Sequence, residues 1–234
     1  MLRQRFSSFI KLITIIFAFG GTILGLFTAK LDGYSHWTKR LLYFTTQSNV
    51  WLGIIFLSVI ILNLTNVKTD TPLKETFYYC KYIFTVSIAM TGVVFCCFLG
   101  PFADSSYRPW SFYSIIVHAI TPFLAVIDFY VDEYEINFSR QHVLATLIVP
   151  LIYYSLAIFL CAFNLDFGRG DPFPYFFLDL NSNVGIFGFT KTPFPNMGTF
   201  WWILFFSIIM LIIAYTLART KHLTIPSRLN KNTT

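Results

Sequence analysis

A chain of 234 residues that is 56% hydrophobic and only 12% charged lies outside the range of soluble domains, which carry about 25% charged residues. Its 28 phenylalanines exclude a disordered chain, which needs few aromatics and much charge. The net charge of +6 does not indicate nucleic-acid binding, because the basic residues stand in short runs between apolar stretches rather than along one solvated face. With a mean hydropathy of +0.63, the composition is that of an integral membrane protein.

A hydrocarbon core of about 30 Å needs roughly 20 apolar residues per helix. Six segments meet this, at 9–29, 42–64, 78–100, 110–131, 142–164 and 199–218. They predict an all-α polytopic bundle, one membrane domain over residues 1–234, with a tail at 219–234. Arg3 and Arg5 before the first segment do not make it a cleavable signal, because the apolar run is too long. With six spans, the amino end, the 65–77 and 132–141 loops and the tail share one side. That side holds Arg3, Arg5, Lys11, Lys68, Lys74, Lys81, Arg140, Arg219, Lys221, Arg228 and Lys231, eleven of the 17 basic residues. Both termini are therefore expected to face the cytoplasm, in the cell membrane. Lys81 is expected to snorkel to the inner headgroups, Asp128 to lie near the inner interface, and Asp132, Glu133 and Glu135 to form a solvated loop face. His142 is placed at an interface.

Cys80, Cys96, Cys97 and Cys161 all fall in the spans without metal-ligand spacing, and read as packing residues. Gly21 and Gly25 form a small-xxx-small pair suited to close helix approach.

Polar residues inside the spans are few, and such residues usually face a cavity or a partner. The second span opens Tyr43-Phe44-Thr45-Thr46-Gln47-Ser48-Asn49. Thr45, Ser48 and Asn49, spaced i, i+3, i+4, share one helix face. The fourth carries Ser111, Ser114, His118 and Thr121 on one stripe. Both stripes lie in the outer half, Thr45 about one turn and His118 about two turns from the end, so they can meet. Pro122 removes the hydrogen bond to the carbonyl four residues earlier, which is that of His118, and predicts a kink.

The 165–198 connector is long and aromatic. It reads Asp171-Pro-Phe-Pro-Tyr175-Phe-Phe-Leu-Asp179, then Asn181-Ser-Asn-Val-Gly185, Phe187-Gly-Phe189 and Pro193-Phe-Pro195. Loops of this length without secondary structure of their own are functional or disordered, and this one is too aromatic for disorder. It is expected to form an outer lid over the bundle mouth or an interfacial anchor.

Three of these segments, Tyr43-Phe44-Thr45, His118 with Pro122 and Asp128, and Tyr175-Phe-Phe-Leu-Asp179, resemble the androgen-induced protein family of integral membrane fatty-acid-ester hydrolases. The resemblance covers about residues 10–217. It departs in the spacing of Pro122, in Asp179 for a glutamate and in Phe176 for a proline, so the chain looks like a distant, bacterial relative. The resemblance implies Thr45 as nucleophile and His118 as the accompanying histidine.

Ester hydrolysis also needs a base within reach of the nucleophile and donors for the oxyanion. Gln47, Ser48 and Asn49 are the candidate donors, Tyr175 and Asp179 reach from the lid as substrate or oxyanion candidates, and Thr46 and Ser48 remain alternative nucleophiles. The expected partners are a lipid or fatty-acid-ester substrate and the membrane lipid, with no cofactor, metal or nucleic acid. The rival reading is a non-catalytic binding or transport protein whose polar stripes line a pathway.

Overall fold

Among the described residues, six helices long and apolar enough to cross a membrane stand where hydropathy places them, over Leu2–Asp32, Phe44–Leu64, Pro72–Leu99, Phe112–Val131, Arg140–Ala162 and Thr199–Lys221. The computed structural model describes residues 2–65, 71–101, 109–134, 136–163, 165–170, 172–190 and 197–224, without the side chains of 222–224. Lys68, Arg108, Glu135, Asp171, Lys191, Pro193, Pro195, Arg228 and Lys231 lie outside them. The fold is an all-α polytopic bundle. We call the end that holds Leu2, Val131 and Lys221 the amino face, and the end that holds Phe44, Leu99 and Thr199 the lid face.

Several ends differ from the expected ones, for local reasons. The first helix begins at Leu2 because Ser7 and Lys11 find buried partners on the fourth helix. The second begins at Phe44, since Trp37–Leu42 forms a separate 3-10 turn and Tyr43 is extended at φ −87°, ψ 139°. Thr45 is thus the second residue of its helix rather than a full turn inside. The fifth span is interrupted between Arg140–Ala145 and Ile148–Ala162, and in the latter only Pro150, Tyr153 and Ala157 are buried.

Pro122 acts as its chemistry requires. Without its N–H the helix relaxes to a π turn over Ile116–Ile120, and a second π turn, Phe95–Leu99, faces it from the third helix. Such turns interrupt helices at functional positions. Gly92 brings the third helix against this kink, because a Cβ there would stand 3.0 Å from the His118 carbonyl oxygen and 3.2 Å from Pro122 Cβ. Gly25 does the same for the first helix, where a Cβ would lie 2.3 Å from the Tyr113 ring. The small-xxx-small pair is a packing device here.

At the amino face, Lys11, Lys81, Asp128 and Asp132 form one buried cluster, which corrects two expectations. Asp132 is not a solvated loop residue and Lys81 does not snorkel; they are 6% and 2% exposed. Lys81 Nζ lies 2.5 Å from carboxylate oxygens of both Asp128 and Asp132, and Lys11 lies 3.0 and 2.7 Å from the same two residues. Ser7 adds a 2.8 Å bond to Asp128. Burial pushes the Asp132 carboxyl up, but the ammonium groups of Lys81 and Lys11 outweigh it and hold it well below the usual carboxylate range.

Asp132, Lys221 and Arg3 together account for all four end carbonyls of the fourth helix, which have no partner within the helix. The Asp132 N–H takes that of Asp128, Lys221 takes that of Phe129, and Arg3 takes those of Tyr130 and Val131 at 2.8 and 2.9 Å. Cations at the negative end of a helix dipole are favourable.

Candidate active site

Thr45 owes its position to the break at Tyr43. The first turn of a helix leaves its N–H groups without intrahelical acceptors, and Tyr43 caps none of them with its side chain. The Gln47 N–H bonds the Tyr43 carbonyl, which leaves the amides of Phe44, Thr45 and Thr46 at the positive end of the helix dipole.

The Thr45 hydroxyl is also free of the usual tether. Hydroxyls in spans commonly bond the carbonyl four residues back, as Thr14, Ser58, Ser87 and Thr91 do. The Leu41 carbonyl that would serve Thr45 is taken by Gln47 Nε2 at 3.0 Å. Thr45 instead lines a cavity walled by Phe44, Met90, Tyr153, Tyr175, Phe177 and Met210, among others.

Residues 172–190 supply the roof through Tyr175 and Phe177. A short 3-10 turn, Phe176–Leu178, buries Phe173, Phe177 and Leu178 in the largest core cluster. Phe177 packs edge-on against Phe206 with centroids 4.9 Å apart. Tyr175 stacks on Phe177 at 5.0 Å and meets Tyr43 edge-on at 5.7 Å. Its phenol lies beside Thr45, where the hydroxyl and backbone N–H of that residue reach it. Burial pushes the Tyr175 phenol well above its ordinary value, and these two contacts draw it only part of the way back. At neutral pH it is therefore a neutral O–H, able to donate.

His118 is fixed on the adjacent helix. Its Nδ1 lies 2.9 Å from the Ser114 carbonyl and 3.2 Å from the Ser114 hydroxyl. A ring nitrogen facing a carbonyl must carry the proton, which leaves Nε2 as the basic nitrogen of the neutral ring. Phe95 stacks on the imidazole at 4.0 Å. Asn49 ties the two stripes together, giving one N–H to the Thr45 carbonyl at 2.8 Å and the other to the Val117 carbonyl at 3.2 Å. The second and fourth helices therefore meet at the depth of Thr45 and His118. No hydrogen bond joins the Thr45 hydroxyl to His118, and His118 is absent from the cavity wall.

The other candidates are committed elsewhere. Asn49 has used both amide hydrogens, and Ser48 donates to the Thr45 carbonyl at 3.0 Å with Thr91 at 3.4 Å. Gln47 caps Leu41 away from the cavity. Asp179 does not reach down from the loop; its carboxylate accepts the Asn181 N–H at 2.9 Å. Of the candidate oxyanion donors Tyr175 remains, beside first-turn amides of which those of Thr45 and Phe44 reach the Tyr175 and Tyr153 hydroxyls; sequence reasoning missed this helix start for lack of any glycine or proline marking the break.

Arg40, outside the cavity wall, was not singled out from the sequence. It is 4% exposed, paired with Asp32 and held between the rings of Tyr34 and Tyr113 at 4.8 and 4.3 Å, while Tyr113 also reaches Thr46. Among the described residues no group of three or more His, Cys, Asp and Glu side chains is placed to hold a metal ion. Compared with protein-family models, with curated proteins and with solved structures, the chain matches none.

Proposed function

We propose that this protein is an intramembrane hydrolase of lipid esters, with Thr45 as nucleophile and His118 as base. The observation that carries the reading is a threonine hydroxyl with no bond to its own helix, at a helix start without a side-chain cap, beside the Tyr175 phenol and opening on a mostly apolar cavity. In this mechanism the Thr45 oxygen attacks the ester carbonyl carbon and passes its proton to His118 Nε2. The negative charge that develops on the carbonyl oxygen is met by the first-turn amides and the Tyr175 O–H. Collapse expels the alcohol, which takes the proton from His118, and water then releases the acid from the acyl-threonine. The Ser114 carbonyl holds the imidazole in the required tautomer, and the step requires His118 and Thr45 to close on each other, as apo catalytic pairs often must. The chemistry calls for no metal or organic cofactor. The resemblance read from the sequence favours the same pair.

A second reading, a lipid-binding protein without chemistry, is favoured by the absence of a Thr45–His118 hydrogen bond. Purified protein in lipid nanodiscs, given long-chain fatty acid esters, separates the two: the hydrolase releases free acid and the binding protein does not. Tyr175→Phe is expected to lower kcat by about 10²- to 10³-fold, the usual cost of one oxyanion donor, with a much smaller change in KM.

The eleven-to-six division of basic residues supports a cell-membrane protein with its amino face in the cytoplasm. Reporter fusions after residue 234 and within 172–190 are expected to report opposite sides, the carboxyl terminus inside; both on one side would refute the orientation.

A further inference from the structure

Below Thr45 the cavity continues as a shaft between the third, fifth and sixth helices, bordered by Val94, Met90, Phe206 and Met210. Counting its open mouth, the void is about 550 Å³. Its lining runs from Thr45 and Leu99 down to Met90 and Met210, so it is a passage along the helices rather than a chamber. Its depth follows from the helices: Met210 is eleven residues below Thr199 and Met90 nine below Leu99, or about 13–16 Å at the helical rise. Beneath the two methionines the bundle is solid. Tyr82, Val86 and Ala214 are fully buried, and the Tyr82 hydroxyl closes the third helix onto the sixth with a 2.8 Å bond to the Ala214 carbonyl. The wall at mid-depth is mostly apolar: Ser207 and Tyr154 add hydroxyl groups, while the Thr91 hydroxyl is spent on the Ser87 carbonyl at 3.1 Å.

We propose that this shaft receives one unbranched acyl chain of the ester attacked at Thr45, and that Met90 and Met210 at its floor set the longest chain accepted. The proposal rests on the hydrolase reading above. An extended chain advances about 1.2 Å per bond, taking three bonds per residue, so the shaft holds about a dozen carbons. A second chain, or a branch near the carbonyl, has no room beside the first and stays in the bilayer. Methionine suits the floor because its unbranched thioether fills irregular space and yields to a chain end.

The test uses alkyl fluorophosphonates of six to eighteen carbons on the full-length protein in nanodiscs. The labelling rate at Thr45 is expected to be nearly constant to about twelve carbons and to fall about tenfold by eighteen, because overfilling a packed core forces strain. Met90→Ala and Met210→Ala should each move the cut-off outward by about three carbons, the atoms a methionine carries past Cβ. No cut-off, or one that neither substitution moves, overturns the proposal.

A second arm needs no chemistry at Thr45 and no variant. Dodecanoic acid carrying a diazirine on its last carbon should crosslink to Met90 or Met210 of the wild-type protein, or to Pro150, which also lines the cavity. Crosslinks at the floor without labelling at any length keep the shaft and reject the hydrolase; no crosslink to the floor at any chain length rejects the shaft.

Discussion

Thr45→Ala is expected to lower ester turnover at least about 10³-fold, as removal of a nucleophile does, and to leave the protein folded. The side chain anchors nothing in its own helix, and the Thr45 carbonyl that holds Ser48 and Asn49 survives the substitution. His118→Gln should lose nearly as much, since a hydroxyl without its base is a poor nucleophile at neutral pH. Thr46→Ala should stay within about tenfold. Thr46 points about 100° away on the same helix, toward Tyr113. Rates measured in nanodiscs, with thermal unfolding of each variant as the control, check the pattern. Equal losses for Thr45→Ala and Thr46→Ala would indicate damage to the helix start rather than loss of a nucleophile.

The contrast between these two threonines shows what the sequence discloses. Hydropathy located six spans, and the i, i+3, i+4 spacing of Thr45, Ser48 and Asn49 placed them on one buried face, because side-chain direction in a helix follows from its period. The proline rule placed the kink at His118, and the π turn over Ile116–Ile120 is its form. Where the second helix starts was not legible. The extended backbone at Tyr43 is held by tertiary contacts, chiefly the Tyr153 hydroxyl on the Leu42 carbonyl at 3.1 Å and the Tyr34 and Tyr175 rings against Tyr43. The first-turn amides beside Thr45 follow from that start, so spacing alone could not show that candidate oxyanion donors lie there rather than at Gln47, Ser48 and Asn49. Lys11, Lys81 and Asp128 were visible one by one as ionisable residues within spans. Their union needed the third dimension, since they come from three helices and are separated by up to 117 positions.

Asp128→Ala should be the most destabilising single change in the bundle. It leaves Lys11 and Lys81 to share Asp132 with no water to replace the lost carboxylate, and breaking a buried ion pair in this way costs about 3–5 kcal/mol. Asp128→Leu combined with Lys11→Met should recover much of that loss, because apolar groups of similar volume remove the charge and its partner together. Thermal or denaturant unfolding in a single detergent measures both. A double variant no more stable than Asp128→Ala would mean that the cluster does more than balance charge. Because the lysines hold Asp132 so far below the usual carboxylate range, its contribution is fully present above the unfolded-state carboxylate value and is lost only under strongly acidic conditions.

The central claim, that Thr45 performs nucleophilic chemistry at the mouth of an intramembrane cavity, is tested most directly by mass spectrometry of the wild-type protein after reaction with a twelve-carbon fluorophosphonate. The predicted result is one phosphonyl adduct on the peptide holding Thr45, located on the Thr45 oxygen and absent when His118 is replaced by glutamine. An adduct on Ser48 or Thr46, or no adduct in protein shown to be folded, would contradict the account.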